Sequence, residues 1–385
     1  MYAESFELAA DTAAFVIALV PLAYLAGALY CVCRWRADQS KPLTHQPPAS
    51  VLKPVCGNEP RLYENLKSFC RQTCLRYQIV FGVGSKDDAA IPVIRRLIAE
   101  FPDLDIELVI EDTHGSTNPK ISNLINIYRR AKHDYLIVAD SDVAVEASFV
   151  ESMMSRLLDK RVGVVTCPYF GRSDGGLVSR LGAMSINEWF MPSVLVAQAL
   201  HPLNFCLGAS VAIRRDVLDR IGGFAALAPY LADDYMLGRL VHEAGYTVEL
   251  HGDIVETQVP EKRFRDLWQH EVRWMRTVWT MEPVGHILSI ATLFVPMAGL
   301  AAVLAWDWRI GLASLIGGTV LRALLSRAIG ARIGVRESLW LVPVRDLMSF
   351  FAWAASFLSK TVAWRGAQFT IRRDGQIEPT KDLLL

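Results

Sequence analysis

Two aspartates separated by one serine carry the strongest chemical signal in the sequence. Asp140 and Asp142 directly follow the apolar residues 136–139, which are typical of a buried strand. Ligands of parallel α/β sheets bind beyond the carboxyl ends of the strands, where two carboxylates at this spacing can share one divalent ion. Magnesium or manganese held in this way keeps coordination positions for substrate phosphates. The pattern predicts a metal site at Asp140 and Asp142, with a plain acidic turn as the alternative.

A second acidic pair, Asp233 and Asp234, opens a helical segment that Gly245 can end. One interpretation makes Asp233 the N-cap of this helix, a role worth about 0.5–2 kcal/mol. Capping by one residue does not account for both acids. Asp234 in the first turn would stay ionised near the positive helix end and could accept a proton from an incoming hydroxyl. Asp234 is therefore the candidate general base.

A third group consists of His270, Arg273 and Trp274, whose spacing puts them on neighbouring faces of one helix. An arginine can stabilise a departing diphosphate, and an indole can stack on a substrate ring. An amphipathic helix anchored in the membrane interface by Trp and Arg side chains explains the same pattern. The two interpretations are compatible.

The elements that must position these residues lie between residue 50 and about residue 283, where strand-like and helical patterns alternate. This alternation predicts an α/β domain with a mostly parallel sheet. The predicted strands are 51–55, 78–83, 106–110, 135–139 and 162–166, and the predicted helices are 62–70, 90–101, 120–131 and 148–158.

The composition excludes several classes of protein. The 385 residues include 40 Lys+Arg and 40 Asp+Glu, so the formal net charge is +0. This balance excludes a polycationic nucleic-acid binder and an acidic disordered tail, and we expect no nucleic-acid partner. A hydrophobic content of 52% favours a membrane protein. The 7 cysteines lack paired CxxC spacing, so we expect no zinc site and no disulfide framework.

The N-terminal segment, residues 1–36, is predicted to cross the membrane. Residues 12–33 carry no charge, which is close to the roughly 20 apolar residues that a spanning helix needs. Acidic residues precede the stretch and Arg34 and Arg36 follow it, which argues against a cleaved signal peptide. The positive-inside rule then puts the N-terminus outside and the rest in the cytoplasm, after a linker at residues 37–49.

A second membrane region is predicted at residues 284–359. The apolar stretches 284–306, 310–321 and 339–358 predict two or three helices, with one pair tilted or re-entrant. Arg345 and Asp346 within the last stretch need partners, either as an inward ion pair or in an acceptor site. The basic tail, residues 360–385, fits the cytoplasmic side, which an odd number of C-terminal spans would contradict. The apolar residues 189–200 form either an interfacial segment or a core helix.

Several motifs together resemble the ceramide glucosyltransferase family from about residue 50 to residue 280. The resemblance implies a GT-A-like nucleotide-sugar-binding fold and inverting, metal-assisted transfer of a hexose from a UDP-sugar to a lipid hydroxyl. The motifs occupy residues 51–54, 87–88, 118–124, 140–142, 206–208, 221–223, 233–235 and 270–274, with a similar C-terminal tail at 364–366 and Arg372.

The resemblance also implies roles for single residues. The donor nucleotide would lie at Pro54 and at Asp88, the latter near the uridine. Its diphosphate would lie at Lys120 and Asp140, since a lysine binds phosphate as a point charge. The match makes Asp234 the general base, with Arg273 and Trp274 as the closing pair of the family's (Gln/Arg)xxRW motif. Two positions depart from that pattern: His270 replaces the first residue of the motif, and Asp142 stands where the animal enzymes carry glycine.

The identity of the acceptor follows less directly from the resemblance. Residues 62–66, Asp142, residues 231–235 and His270 look more like bacterial transferases that put N-acetylglucosamine on a hopanoid polyol, which places the protein in a bacterial inner membrane. Ceramide glucosylation with UDP-glucose is the first alternative. A processive polysaccharide synthase shares the DxD motif, and a non-enzymatic membrane scaffold or transporter would only bind nucleotide.

Overall fold

The computed structural model describes residues 2–36, 46–112, 117–305, 307–335, 338–364, 367–372 and 374–380. Most of the predicted linker, the basic residues Arg365 and Arg373, and residues 381–385 of the predicted tail lie outside these ranges. Trp306, at the end of the first predicted C-terminal span, does so as well.

The described residues form helices and strands with the following bounds. The helices are α1 Tyr2–Arg34, α2 Leu62–Phe69, α3 Ile91–Glu100, α4 Pro119–Tyr128, α5 Phe149–Leu157, α6 Leu177–Ser185, α7 Met191–Leu200, α8 Arg215–Arg220, α9 Asp233–Glu243, α10 Phe264–Met281, α11 Pro283–Leu288, α12 Phe294–Leu304, α13 Trp308–Ile333 and α14 Val342–Ser356. The strands are β1 Ala49–Pro54, β2 Tyr77–Val83, β3 Asp105–Ile110, β4 Tyr135–Ala139, β5 Val143–Ala144, β6 Val162–Thr166, β7 Tyr169–Ser173, β8 Ser210–Arg214, β9 Thr247–Leu250, β10 Val255–Val259, β11 Thr361–Trp364, β12 Ala367–Ile371 and β13 Ile377–Pro379.

The chain divides into two compact units. The sheet unit contains Arg36–Arg172, His201–Pro260 and Gly375–Leu385, and the helical unit contains Met1–Trp35, Ser173–Leu200 and Glu261–Asp374. Each unit is therefore assembled from separate parts of the chain. The domain boundaries at residues 50 and 283 stay a prediction. They come from changes in composition along the chain, and composition does not show that one unit is built from separate segments.

A seven-stranded sheet with the order β3-β2-β1-β4-β8-β6-β9 is the centre of the sheet unit. Strands β1 to β4 are parallel, β8 runs antiparallel to both of its neighbours, and β6 and β9 are parallel. The predicted α/β class with a mostly parallel sheet is confirmed. The five predicted strands and four predicted helices are present, with ends that differ by at most a few residues. The antiparallel β8 was not predicted.

Among the residues that the structure describes, two helices of the helical unit are long and apolar enough to cross a membrane. They are Ser5–Arg34 of α1 and Trp308–Ile333, with mean hydropathies of 2.2 and 1.4. The segments Pro283–Thr292 and Phe294–Leu304 meet at a bend of 72°, so together they form a broken span or a re-entrant loop. This bend matches the expected tilted or re-entrant pair. Residues 186–190 form a π-helical turn that leads into α7.

The adjacent Arg345 and Asp346 bind different partners inside the helical unit. Arg345 is buried and pairs with both carboxylate oxygens of Glu271 on α10. Asp346 accepts from Arg322 of α13 at 2.9 Å, and the same guanidinium lies 3.6 Å from Glu188. These contacts agree with the structural alternative for the pair, because each charge has an opposite charge on another helix.

The buried pair between Arg345 and Glu271 generates a stability prediction. Replacing Glu271 by glutamine leaves the guanidinium buried without a counter-charge, so we expect a loss of about 3–5 kcal/mol in the free energy of unfolding. Denaturation in detergent micelles measures the change. The control Glu243→Gln removes an exposed partner of Arg239 and should cost about 0.3–0.5 kcal/mol. Equal losses for the two variants would contradict the prediction.

Candidate functional site

The candidate site lies at one edge of the seven-stranded sheet. Because β1, β2 and β4 are parallel, their carboxyl ends meet at this edge. Strand β8 runs in the opposite direction, and its first residue, Ser210, lies opposite Ala139 at the end of β4. The loop before β8 therefore reaches the same edge as Asp140. The strand order also reverses next to β1, a place where open α/β sheets commonly bind ligands.

Lys120 links the two acidic pairs that the sequence analysis singled out. Its Nζ lies 2.8 Å from Asp140 Oδ1 and 3.4 Å from Asp233 Oδ2. Burial opposes the ammonium charge, but the nearby carboxylates of Asp140 and Asp233 outweigh it and raise the pKa of Lys120. The aspartates from two distant parts of the chain are thus gathered around one cation.

Asn118 fixes the position of Lys120. Its side chain caps α4 by accepting hydrogen bonds from the backbone N–H groups of Lys120 and Ile121, at 3.0 and 3.2 Å. Its amide nitrogen donates to the carbonyl of Tyr230 at 2.9 Å. The same residue therefore holds the start of α4 against the segment that leads to Asp233.

Asp234 follows in the first turn of α9 and fits closely against Gly208. A Cβ atom at position 208 would lie 2.8 Å from Asp234 Oδ2, which no side chain can occupy without displacement. Gly238, one turn later, faces the backbone of Phe205 and Cys206, where a Cβ would come within 2.4 Å. Both glycines let α9 approach the segment before β8, and this approach determines where the Asp234 carboxylate lies.

The electrostatic surroundings of Asp234 favour proton transfer near neutral pH. Burial and the neighbouring charge of Asp233 raise the pKa of Asp234 to about 6, although Lys120 and the backbone N–H of Tyr235 lower it. A carboxyl group with this pKa is ionised at pH 7 and still basic enough to accept a proton. The interpretation of Asp233 as the N-cap is wrong, because Ala232 occupies that position and Asp233 is the first helical residue, with its carboxylate 3.4 Å from Lys120 Nζ.

Asp142 lies beyond the end of β4 and is held by β10. Thr257 Oγ1 donates to Asp142 Oδ2 at 2.7 Å. Burial and the charge of Asp140 raise the pKa of Asp142 to about 7. The serine between the two acids donates to Glu59 at 2.6 Å, which fixes the turn that presents them.

Lys53 is a second cation at this edge, and sequence reasoning did not assign it a role. The side chain is fully buried in β1, lies over the ring of Phe69, and donates from Nζ to the backbone carbonyl of Asp140 at 2.7 Å. Burial lowers the pKa of Lys53 to about 7, against the opposing effect of Asp142 and Asp140. A lysine inside the apolar strand 51–55 was the available signal, since such a residue needs a buried partner.

Asp88 and Pro54 lie in the neighbouring part of the edge. The Asp88 carboxylate accepts from the backbone N–H of Gly57 at 3.0 and 3.1 Å and from that of Ala90 at 2.8 Å. It therefore ties the loop after β1 to the loop after β2. Pro54 is the last residue of β1, and Lys53 immediately precedes it. The proposed contacts of both residues with a nucleotide stay predictions.

The donor set at Asp140 and Asp142 fits a divalent cation. Both carboxylates follow one strand, and their mutual repulsion contributes to the raised pKa of Asp142. A cation between them would relieve this repulsion. Among the described residues, no group of three or more His, Cys, Asp or Glu side chains is arranged to hold a metal. Magnesium commonly binds through one or two carboxylates together with substrate phosphates, which matches a two-carboxylate site.

The third predicted group lies in the helical unit, on α10. Trp274 packs against His270, with ring centroids 4.9 Å apart, and against Phe190 at 6.1 Å. His270 Nδ1 is hydrogen-bonded to Glu261 Oε1 at 2.6 Å. Glu261 was not predicted, because its separation of nine residues from His270 gives no periodic signal. The catalytic roles of Arg273 and Trp274 stay predictions.

Comparison with known proteins identifies relatives over nearly the whole chain. The sequence model of glycosyl transferase family 21 matches residues 13–377. Ceramide glucosyltransferase 3 of Caenorhabditis elegans is 26% identical over 354 residues, which cover 87% of this chain and 75% of that protein. A ceramide glucosyltransferase of Pyricularia oryzae is 24% identical over 433 residues and covers 86% of this chain and 85% of its own length.

One solved structure supports the fold. A mannosyltransferase from Pyrobaculum calidifontis, determined in complex with GDP-Man and Mn2+, superimposes with a TM-score of 0.54. The match covers 92% of this chain and 98% of the mannosyltransferase at 20% sequence identity. The predicted glycosyltransferase type of α/β fold is confirmed.

The contact between Gly208 and Asp234 generates a prediction about turnover. The Gly208→Ala methyl would displace the Asp234 carboxylate, and a misplacement of about 1 Å can cost on the order of 100-fold in rate. We expect kcat to fall about 10- to 100-fold while the Kd for the sugar nucleotide is unchanged. The control Gly299→Ala adds a methyl that meets nothing within 4 Å. An unchanged kcat in Gly208→Ala would show that the Asp234 position does not matter.

The repulsion between Asp233 and Asp234 generates a prediction about pH. The base must be ionised, so kcat/KM for the donor at saturating metal should fall as the pH drops below about 6. Asp233→Asn removes a neighbouring negative charge, which lowers the pKa of Asp234 and moves this acid limb to lower pH. The exposed Asp103→Asn should leave the limb in place. A shift of the acid limb to higher pH in Asp233→Asn would exclude Asp234 as the titrating group.

Proposed function

Because the chain belongs to glycosyl transferase family 21, we propose that it transfers a hexose from a UDP-sugar to the hydroxyl group of a membrane lipid, with inversion at the anomeric carbon. The observation that carries this proposal is the gathering of Asp140, Asp233 and Asp234 around Lys120 at the carboxyl edge of the sheet. Its relatives that are named ceramide glucosyltransferases support a lipid acceptor.

Asp234 is the general base in this proposal. Its carboxylate takes the proton of the acceptor hydroxyl while that oxygen forms a bond to the anomeric carbon. The bond between this carbon and the UDP oxygen breaks on the opposite face, and UDP leaves with the electron pair. The close fit of Asp234 against Gly208 supports the role, because a base must be held within hydrogen-bond reach of the proton that it abstracts.

The leaving diphosphate is stabilised by positive charge. Lys120 supplies a fixed ammonium at the start of α4, and Arg273 of the helical unit is a second candidate cation. Asp140 and Asp142 would hold a divalent ion, Mg²⁺ or Mn²⁺, which when bound neutralises charge on the diphosphate. Lys120 pairs with one Asp140 oxygen at 2.8 Å.

The best candidate pair of substrates is UDP-N-acetylglucosamine and a hopanoid polyol. Asp142 and His270 support this choice, because these positions look like the bacterial hopanoid-associated branch and unlike the animal enzymes. UDP-glucose and ceramide are the second candidates, which the names of the relatives favour. Residence in a bacterial inner membrane follows from the resemblance to that branch, and a cytoplasmic sheet unit follows from the charges around α1; both are part of the proposal.

A transfer assay tests the proposal. Membranes that contain the protein are incubated with labelled UDP-N-acetylglucosamine or UDP-glucose and with either a hopanoid polyol or ceramide. We expect label in the polyol with the first donor. Label in ceramide with the second donor would select the other acceptor, and label in a long polymer or in neither lipid would contradict the proposal.

The variant Asp234→Asn separates catalysis from binding in the same assay. Loss of the base should reduce transfer by about 10²–10⁴-fold while the UDP-sugar still binds, because the amide cannot accept the proton. Asp103→Asn, at an exposed aspartate of the sheet unit outside the family motifs, serves as the matched control. Near-normal turnover in Asp234→Asn would remove this residue as the base.

A further inference from the structure

Tyr169 is a buried tyrosine of the sheet unit with no part in the mechanism proposed above, and it begins strand β7. This strand follows β6 after a short connection, and the carboxyl end of β6 meets that of β4 because β8 runs antiparallel to both. Backbone hydrogen bonds give the same placement. The N–H of Asp140 donates to the carbonyl of Ala209 at 3.1 Å, and the N–H of Cys167 donates to that of Ser210 at 3.0 Å. The chain therefore enters β7 at the edge where the aspartates gather.

The small sheet that contains β7 also holds Asp142. Its strand order is β5-β10-β7, so β10 is the central strand. On one side, β5 begins directly after Asp142 and pairs with β10, whose Thr257 donates to the Asp142 carboxylate at 2.7 Å. On the other side, the backbone N–H of Val255 at the start of β10 donates to the carbonyl of Pro168 at 3.0 Å. Asp142, just before β5, and Tyr169, at the start of β7, therefore flank β10 in one sheet.

The Tyr169 phenol is under the electrostatic influence of both acidic pairs. Burial raises the pKa of Tyr169 well above its usual value, and the charge of Asp234 raises it further. Asp140 and Asp142 act in the same direction. Since the interaction between a charge and a titrating group weakens with distance, the phenol is a near neighbour of both pairs. It therefore keeps its hydrogen across the physiological pH range and can donate it.

In the proposed reaction the space between the two pairs belongs to the hexose. Asp140 and Asp142 lie on the side of the diphosphate, and Asp234 lies on the side of the acceptor hydroxyl. The transferred sugar joins the diphosphate to the carbon that the acceptor attacks, so it must extend from one pair to the other. A side chain that neighbours both pairs is therefore a neighbour of the sugar as well.

On the basis of the proposed hexose transfer, we propose that Tyr169 is a donor-recognition residue, whose hydroxyl binds a hydroxyl group of the transferred hexose. A phenol both donates and accepts a hydrogen bond, so it can pair with a sugar hydroxyl in either sense. Tyr169 is only 8% exposed, so its ring is held by the surrounding core and loses little rotamer freedom when the sugar binds. The charged groups of the edge recognise the diphosphate, whereas this neutral hydroxyl recognises the sugar.

Binding of two nucleotides to the purified protein tests the proposal. The Kd is measured for UDP-N-acetylglucosamine and for UDP, which lacks the hexose, at one saturating Mn²⁺ concentration and without any acceptor lipid. In Tyr169→Phe the Kd for UDP-N-acetylglucosamine should rise about 3- to 10-fold, because one hydrogen bond to the sugar is lost while the ring stays in place. The Kd for UDP should be unchanged. The same measurement with UDP-glucose covers the second candidate donor.

Tyr77→Phe is the matched control. Tyr77 is also a buried tyrosine at the first residue of a strand, but β2 begins at the opposite edge of the sheet, so both Kd values should stay at the wild-type level.

Three results would overturn the proposal in distinguishable ways. An equal rise of both Kd values in Tyr169→Phe would mean that Tyr169 shapes the whole nucleotide site. A lower kcat with both Kd values unchanged would mean that Tyr169 acts through Asp234. If the wild type binds neither nucleotide, the proposed function fails, and the assignment of Tyr169 fails with it. The acceptor does not enter these measurements, so a wrong acceptor lipid leaves their outcome valid.

Discussion

The balance between aspartates and lysines at the carboxyl edge of the sheet is the constraint on which the site depends. The four aspartates of the two acidic pairs stand against two lysines, and burial lowers the pKa of one of these, Lys53, to about 7, so the edge is short of positive charge. Because little positive charge opposes them, burial and repulsion between the carboxylates raise the pKa of Asp142 and of Asp234. The shortage of positive charge also makes the edge receptive to a cation, and then to the diphosphate of a sugar nucleotide. The aspartates are Asp140, Asp142, Asp233 and Asp234, and the lysines are Lys53 and Lys120.

Such an edge requires backbone packing that lets charged groups approach closely. Gly208 and Gly238 let α9 lie against the segment before β8. Gly82, where a Cβ would lie 2.1 Å from Asn123 Oδ1, lets α4 lie against the end of β2, and Asn123 donates to the Gly82 carbonyl at 2.7 Å. The positions of Asp234 and Lys120 are thus determined by contacts that tolerate almost no added volume.

Much of this arrangement could be predicted from the sequence, for physical reasons that differ between residues. Asp140 and Asp142 follow an apolar strand, and a parallel sheet must present them at one edge, so local pattern was sufficient. The link from Lys120 to Asp233 depends on how α4 and α9 pack, and periodicity contains no such information. Lys53 was not assigned a role because its partner is a backbone carbonyl. Every residue type has a backbone carbonyl, so the sequence does not indicate which one a buried lysine binds. Pairing of Glu261 with His270 likewise depends on how the chain turns before α10.

The buried charges of the helical unit have a consequence for how the chain enters the bilayer. Arg322 lies near the middle of α13, where an arginine in hydrocarbon costs about 2.5–3.5 kcal/mol by insertion measurements. Its counter-charge Asp346 is 24 residues further along the chain. A second counter-charge, Glu188, lies 3.6 Å from the same guanidinium and precedes α13 in the chain. Neutralising this arginine thus depends on packing of α13 against both α14 and the π-helical turn before α7, and that packing lowers the cost of placing α13 in lipid.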